Sequence, residues 1–172
     1  MQMDVMNAIL NRRSIRKYLS KDIEEEKVNA ILEAGRWAPS ASNKQPWHFI
    51  VIRDPNIRKK LAQAHQYGSF MVESPVVIAV LGNPDKHPKY HLADPHNAVQ
   101  NMLLAAHSLD LGTCWIGVRD TDVESLFKEM LNVPNDYRFV CCISLGYYDV
   151  DARKNRVDIA EIVSYERFGN KQ

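Results

Sequence analysis

The residues best equipped for chemistry lie near the start of the chain. Arg12-Arg13-Ser14-Ile15-Arg16-Lys17-Tyr18 puts three guanidiniums within five residues. Their fork-shaped donor arrays suit the oxygens of a phosphate, and Ser14 adds a hydroxyl. A solvated basic turn has the same composition, since charge runs usually lie on the surface. A second stretch, Pro39-Ser40-Ala41-Ser42-Asn43-Lys44-Gln45-Pro46-Trp47, mixes small residues with paired amides. Small residues let a backbone approach a ligand closely, and Asn43 and Gln45 could read the edge of a planar heterocycle. A plain helix-to-strand loop is built from the same residues. A third stretch, Gly112-Thr113-Cys114-Trp115-Ile116-Gly117, lacks the spacing of a dinucleotide fingerprint or a P-loop. Alone it reads as a strand entered between two glycines. His87, His91 and His96 are read as loop histidines, because Pro88 disfavours the helix needed to align a ligand pair and no metal-site spacing completes them. No G-x-S-x-G elbow or catalytic-cysteine signature supports a nucleophilic triad.

Five helices and four strands must position these stretches. Asp4 to Asn11 forms a short opening helix, and Asp22 with Glu25 resembles a capping box for a helix presenting Val28, Ile31, Leu32 and Gly35 on one face. Trp47 to Arg53 reads as a strand and Asn56 to His65 as a polar helix. Val76 to Leu81, apolar on both faces, reads as a covered central strand. Asp94-Pro95 is expected to start a helix to about Leu109, with Asp94 accepting the free amides and Gly112 capping the far end. That helix is apolar nearly all round, so it belongs in the core or in a dimer interface. Thr113 to Val118 is strand-like, Thr121 and Glu124 form a second capping box for a helix through Leu131, and Arg138 to Leu145 is a strand. The mixture lacks strict βαβ alternation, which gives an α+β fold with helices around one sheet. In the tail, Val157, Ile159, Ile162 and Val163 follow a polar run, and a second subunit is the natural surface for them.

Composition narrows the field. The 172 residues suit a single domain, and 45% hydrophobic with 25% charged is the mixture of a soluble globular protein. A net charge of +1 argues against a nucleic-acid binder. The longest apolar run, Pro75 to Gly82, is far short of the roughly 20 residues of a membrane span. An acid precedes the first apolar stretch and arginines follow it, the reverse of a secretory signal, so the expected location is the cytoplasm. Cys114, Cys141 and Cys142 make an odd count and read as buried reduced thiols. The near-neutral total conceals two basic clusters: residues 1–21 carry a net +4 and residues 152–156 a net +3.

Taken in order, the stretches resemble the nitroreductase family of flavin enzymes over almost the whole chain. The resemblance rests on the Arg-Arg-Ser-Ile-Arg-Lys-Tyr opening, on Ala38 to Trp47 and on Ala93-Asp94 through Ala98 to Ala106. It continues through Leu111 to Gly117 and the late pair Lys154-Asn155-Arg156. It implies a central, mostly antiparallel mixed sheet, and FMN held at the interface of a homodimer. Arg12, Ser14 and Arg156 would hold the phosphate, with Lys154 nearby and Arg13 partly through its backbone. Arg16 would lie near the pyrimidine end. Pro39, Ser40 and Ala41, with Asn43 close by, would flank the ring from the other subunit, and the tail would wrap that subunit. Trp115, Ile116 and Gly117 would pack under or beside the ring, some through backbone amides. The implied activity takes hydride from NADH or NADPH and passes it, by a ping-pong mechanism, to a small-molecule acceptor such as a nitro compound or quinone. The same fold also hosts a dehalogenase and an FMN-fragmenting enzyme, and a flavin carrier is a further alternative. Larger members carry an inserted lid, which here is either missing or reduced to Gly82 to Leu92. They also carry a basic residue where this chain reads Gln66-Tyr67-Gly68-Ser69, which leaves Arg16 as the main charge there and Gln66 as a candidate polar contact.

Overall fold

The computed structural model describes residues 4–150 and 155–171. Its helices are α1 (Val5–Asn11), α2 (Glu25–Arg36), α3 (Pro55–Ala64), α4 (Asp94–Ser108), α5 (Glu124–Met130) and α6 (Ile159–Ile162). Its strands are β1 (Trp47–Ile52), β2 (Val76–Gly82), β3 (Gly112–Gly117) and β4 (Arg138–Gly146). The strands form one sheet in the order β1-β2-β4-β3, antiparallel throughout. An isolated parallel bridge, Ser14 to Thr113, lies on the outer side of β3. The α+β expectation holds.

Two apolar clusters cover the two faces of the sheet. Val76, Ile78 and Val80 meet α2 and α4 through Val28, Ile31, Val99 and Met102. The alternate residues Val77, Ala79 and Leu81 meet α3 and α5 through Leu61, Ala62 and Phe127. Every residue of β2 is therefore buried, as its unbroken apolar run demands. The three cysteines are free and buried. Among the described residues, no helix is long and apolar enough to cross a membrane.

Several helix ends differ from expectation. Asp22 forms no capping box: α2 begins at Glu25 behind Glu24, which makes no side-chain cap. Asp94 lies inside α4, and its carboxylate accepts from the Ala41 N–H (3.1 Å) instead of capping its own helix. Gly112 does not cap α4. Asp110 takes the left-handed turn (φ 62°), and Gly112 starts β3, where a Cβ would stand 2.8 Å from Ile15 and 2.7 Å from Tyr148. Thr121 donates its hydroxyl to Val118 O, while Glu124 accepts from Asp120 N (2.8 Å) and Phe139 N (3.1 Å), so α5 is tied to β4 and not boxed. His96 sits in the first turn of α4 and not in the loop before it. The short α6 was absent from the sequence reading.

Candidate functional site

The opening basic segment is fixed by what surrounds it. After α1 the Arg13 guanidinium turns back, donating to the carbonyls of Leu10 (2.6 Å) and Arg12 (2.8 Å), where a cation offsets the helix's negative end. One of the three expected phosphate forks is thus committed to the helix, and the Arg13 Nε is buried with no partner. The chain then runs extended beside β3, with Ile15 N–H donating to Thr113 O (2.8 Å). Ile15 and Tyr18 point inward, and Ser14, Arg16 and Lys17 outward. The Tyr18 hydroxyl locks the segment, donating to Ile15 O (2.7 Å) and sharing a 2.6 Å hydrogen bond with Ser144.

Arg12 and Arg156 come together across most of the chain length. Burial, with the neighbouring charges of Arg13 and Arg156, holds the Arg12 guanidinium below its ordinary value. His107, in the last turn of α4, is also held down by burial and by Arg12, and its Nε2 is buried without a partner. Burial pushes the Cys114 thiol up, against the pull of Arg16, Ser14 and Arg12. Among the described residues, none of Arg12, Arg13, Arg16 and Arg156 forms an ion pair with a carboxylate. A partly desolvated guanidinium such as that of Arg12, without a carboxylate beside it, suits an anion. Lys154 lies outside the described residues.

Next to this cluster is a cavity of about 320 Å³ lined by Arg16, His65, Tyr67, Phe70, Cys114, Trp115, Ile116, Gly117 and Thr121. Arg16 lies over the Phe70 ring, 5.9 Å from its centroid. Trp115 stacks on His96 at 5.2 Å. β3 is an edge strand, so alternate residues turn their backbone groups away from β4. Thr113 does so, as its bond to Ile15 shows, and the unshifted register gives Trp115 and Gly117 the same parity. Gln66 is exposed in the turn that follows α3, between His65 and Tyr67.

The Pro39–Trp47 stretch is a rigid loop with left-handed Ser42, Asn43 and Gln45 (φ 50°, 54° and 49°). Ser40 Oγ accepts from Gln45 N (3.0 Å), Gln45 Nε2 donates to Asn43 Oδ1 (3.1 Å), and Asn97 donates to Pro39 O (3.2 Å). With Asp94 holding Ala41 N, the loop is fastened to the N-terminal end of α4. The basic cluster sits at the other end, beside His107. Asp94 and His107 are thirteen residues apart in α4, about 20 Å along the axis. Within one chain, then, Arg16 shares a cavity with Trp115, Ile116 and Gly117, Arg12 lies toward the His107 end of α4, and the loop carrying Pro39, Ser40, Ala41 and Asn43 is held at the other end, where His96 stacks on Trp115. Sequence reasoning missed His65, Phe70 and His107, whose types and spacings carry no motif, and it read Thr121 only as a helix cap and Tyr67 only as a neighbour of Gln66.

The nitroreductase family model matches residues 9–68 and 63–147 of the chain. A Methanothermobacter thermautotrophicus protein provisionally named NADH dehydrogenase/NAD(P)H nitroreductase is 40% identical over 150 residues, covering 85% of this chain and 78% of its own. The FMN-dependent nitroreductase of Clostridium difficile R20291 superposes with TM-score 0.88 at 32% identity, covering 95% of this chain and 100% of its own. A provisionally named nitroreductase of Desulfovibrio desulfuricans, crystallised in complex with FMN, superposes with TM-score 0.84 at 35% identity over 98% of this chain and 99% of its own.

Proposed function

The chain belongs to the nitroreductase family, and from that premise we propose that it is a cytoplasmic FMN-dependent NAD(P)H oxidoreductase, one domain per chain and two chains per working unit. The residues present fit FMN. Arg12 and Arg156, with no carboxylate partner among the described residues, supply guanidiniums for the phosphate, Ser14 a hydroxyl, and Arg13 its backbone, its side chain being engaged on α1. Lys154 joins them in this reading. Arg16 stands at the cavity and places positive charge at the pyrimidine end. Trp115, Ile116 and Gly117 offer a strand edge along the ring, and Gln66 lies one residue from two cavity-lining side chains.

Bound FMN would supply the chemistry of hydride transfer between NADH or NADPH and a nitro compound, quinone or related acceptor, in a ping-pong sequence. The protein binds and orients. Arg12 and Arg156 anchor one end, Arg16 favours negative charge at the other, and the apolar walls of Phe70, Trp115 and Ile116 exclude water. In this reading Pro39, Ser40, Ala41 and Asn43 complete the site from the second subunit, on a loop that Asp94 and Asn97 hold to the start of α4.

The observation that carries this reading is the meeting of Arg12 and Arg156, 144 positions apart in sequence, with no carboxylate paired to either among the described residues. Purified protein is expected to show a flavin absorption spectrum, as isolated or after adding FMN, and to be bleached by NADH or NADPH without oxygen. Colourless protein that takes up no FMN overturns the reading. Bound FMN that neither nicotinamide reduces makes the protein a flavin carrier.

A further inference from the structure

We propose that His65 is a positioning residue for the edge of β3 that faces the cavity. This rests on the FMN reading above and extends it to a residue that no part of the basic clusters predicts.

His65 caps α3 and makes two hydrogen bonds that fix its tautomer. Its Nδ1 accepts from Tyr67 N–H at 3.1 Å, so that nitrogen carries no proton. Its Nε2 lies 2.7 Å from Gly117 O, a carbonyl that can only accept, so that nitrogen carries the proton. The ring also packs edge-on against Phe127, with centroids 6.2 Å apart. One imidazole thereby joins the α3 turn to the far end of β3 across 52 positions of sequence.

The consequence lies in what the β3 edge offers a ligand. The outward backbone groups of Trp115 and Gly117 would present both donors and acceptors. By occupying Gly117 O, His65 removes the acceptor at the end of the strand and leaves the Gly117 N–H facing out. A donor-rich edge suits the carbonyl oxygens and ring nitrogens of an isoalloxazine, and the carbonyl bond holds the Gly117 peptide in one orientation. The same imidazole holds Tyr67 N–H, which sets the turn carrying Gln66. A single side chain therefore fixes two of the expected flavin contacts.

The test uses the full chain and its His65→Ala and His65→Gln variants, each checked for folding by circular dichroism without FMN. Gln can donate to Gly117 O through its amide nitrogen. His65→Ala is expected to weaken FMN binding about tenfold by fluorescence titration and to shift the bound-flavin absorption bands. His65→Gln is expected to recover most of the affinity. Should His65→Ala not fold, His65→Leu replaces it. Equal affinity and unchanged bands in the Ala or Leu variant overturn the role, as does a Gln variant no better than either. In the FMN-free wild type, nitrogen NMR should show a proton on Nε2 and none on Nδ1, and the opposite tautomer also overturns it. Wild-type protein that binds no FMN overturns the functional reading itself, a result distinct from the others.

Discussion

Tyr18 shows how one side chain can hold a functional segment without touching a ligand. Burial pushes its phenol well above the ordinary value, so the hydroxyl stays neutral between Ile15 O and Ser144. Tyr18→Phe leaves both partners buried and unpaired and is expected to cost about 1–2 kcal/mol in urea denaturation. In the proposed site Arg12 acts directly on the phosphate. Arg12→Gln is expected to weaken FMN binding roughly 10–100-fold while leaving riboflavin, which has no phosphate, almost unchanged. Comparative titration with the two flavins checks this. Arg12, Ser14 and Arg16 were legible in the sequence because dense local charge is visible without a fold. The commitment of Arg13 to the end of α1 was not, since it depends on where that helix stops. His65 was equally hidden: a lone histidine after a polar helix has no spacing signal, and its partner Gly117 is met only through the fold.

At the level of elements, the strands were the most legible because their burial is written in composition. β2 is apolar on both faces, and β4 nearly so. Helix bodies were also readable, whereas their ends depended on tertiary competition. Asp94 had the type and position of a cap, yet the Ala41 N–H claimed its carboxylate. Glu124 is a similar case. Burial opposes its ionisation, but Arg138 and the N–H groups of Asp120 and Phe139 outweigh that and hold the carboxyl below its ordinary value of 4.5. A carboxyl depressed on folding contributes stability above the unfolded value and loses it as pH falls through the folded one. Glu124→Gln is therefore expected to be less stable than wild type by about 1–2 kcal/mol at neutral pH. The difference should close progressively below pH 4.5 in urea melts run across the acid range. Loop 83–93 is fixed in another way. Asn83 N donates to Pro46 O (2.7 Å), and a Cβ on Gly82 would stand 2.0 Å from His91 O, so only glycine allows that packing.

At the scale of the whole molecule, apolar side chains lie exposed at both ends of the chain. α1 exposes Val5, Met6, Ile9 and Leu10, with Leu10 62% exposed, and the tail exposes Val157, Ile159, Ile162 and Phe168. In the proposed dimer these side chains supply the association surface. Sedimentation should find a dimer, and Leu10→Lys with Ile159→Lys should yield monomer and lose FMN in the same step. The length of α4 has a genetic consequence. If each chain lends its basic cluster to one site and its Pro39–Asn43 loop to the other, two defective alleles can rescue each other. A chain damaged at Arg12 and a chain carrying a bulky residue at Ala41 should each be inactive alone. Denatured, mixed in equal amounts and refolded, they should form hybrids in which one site carries both lesions and the other carries neither. Random pairing then restores about one site in four, whereas a site built within one chain would restore none.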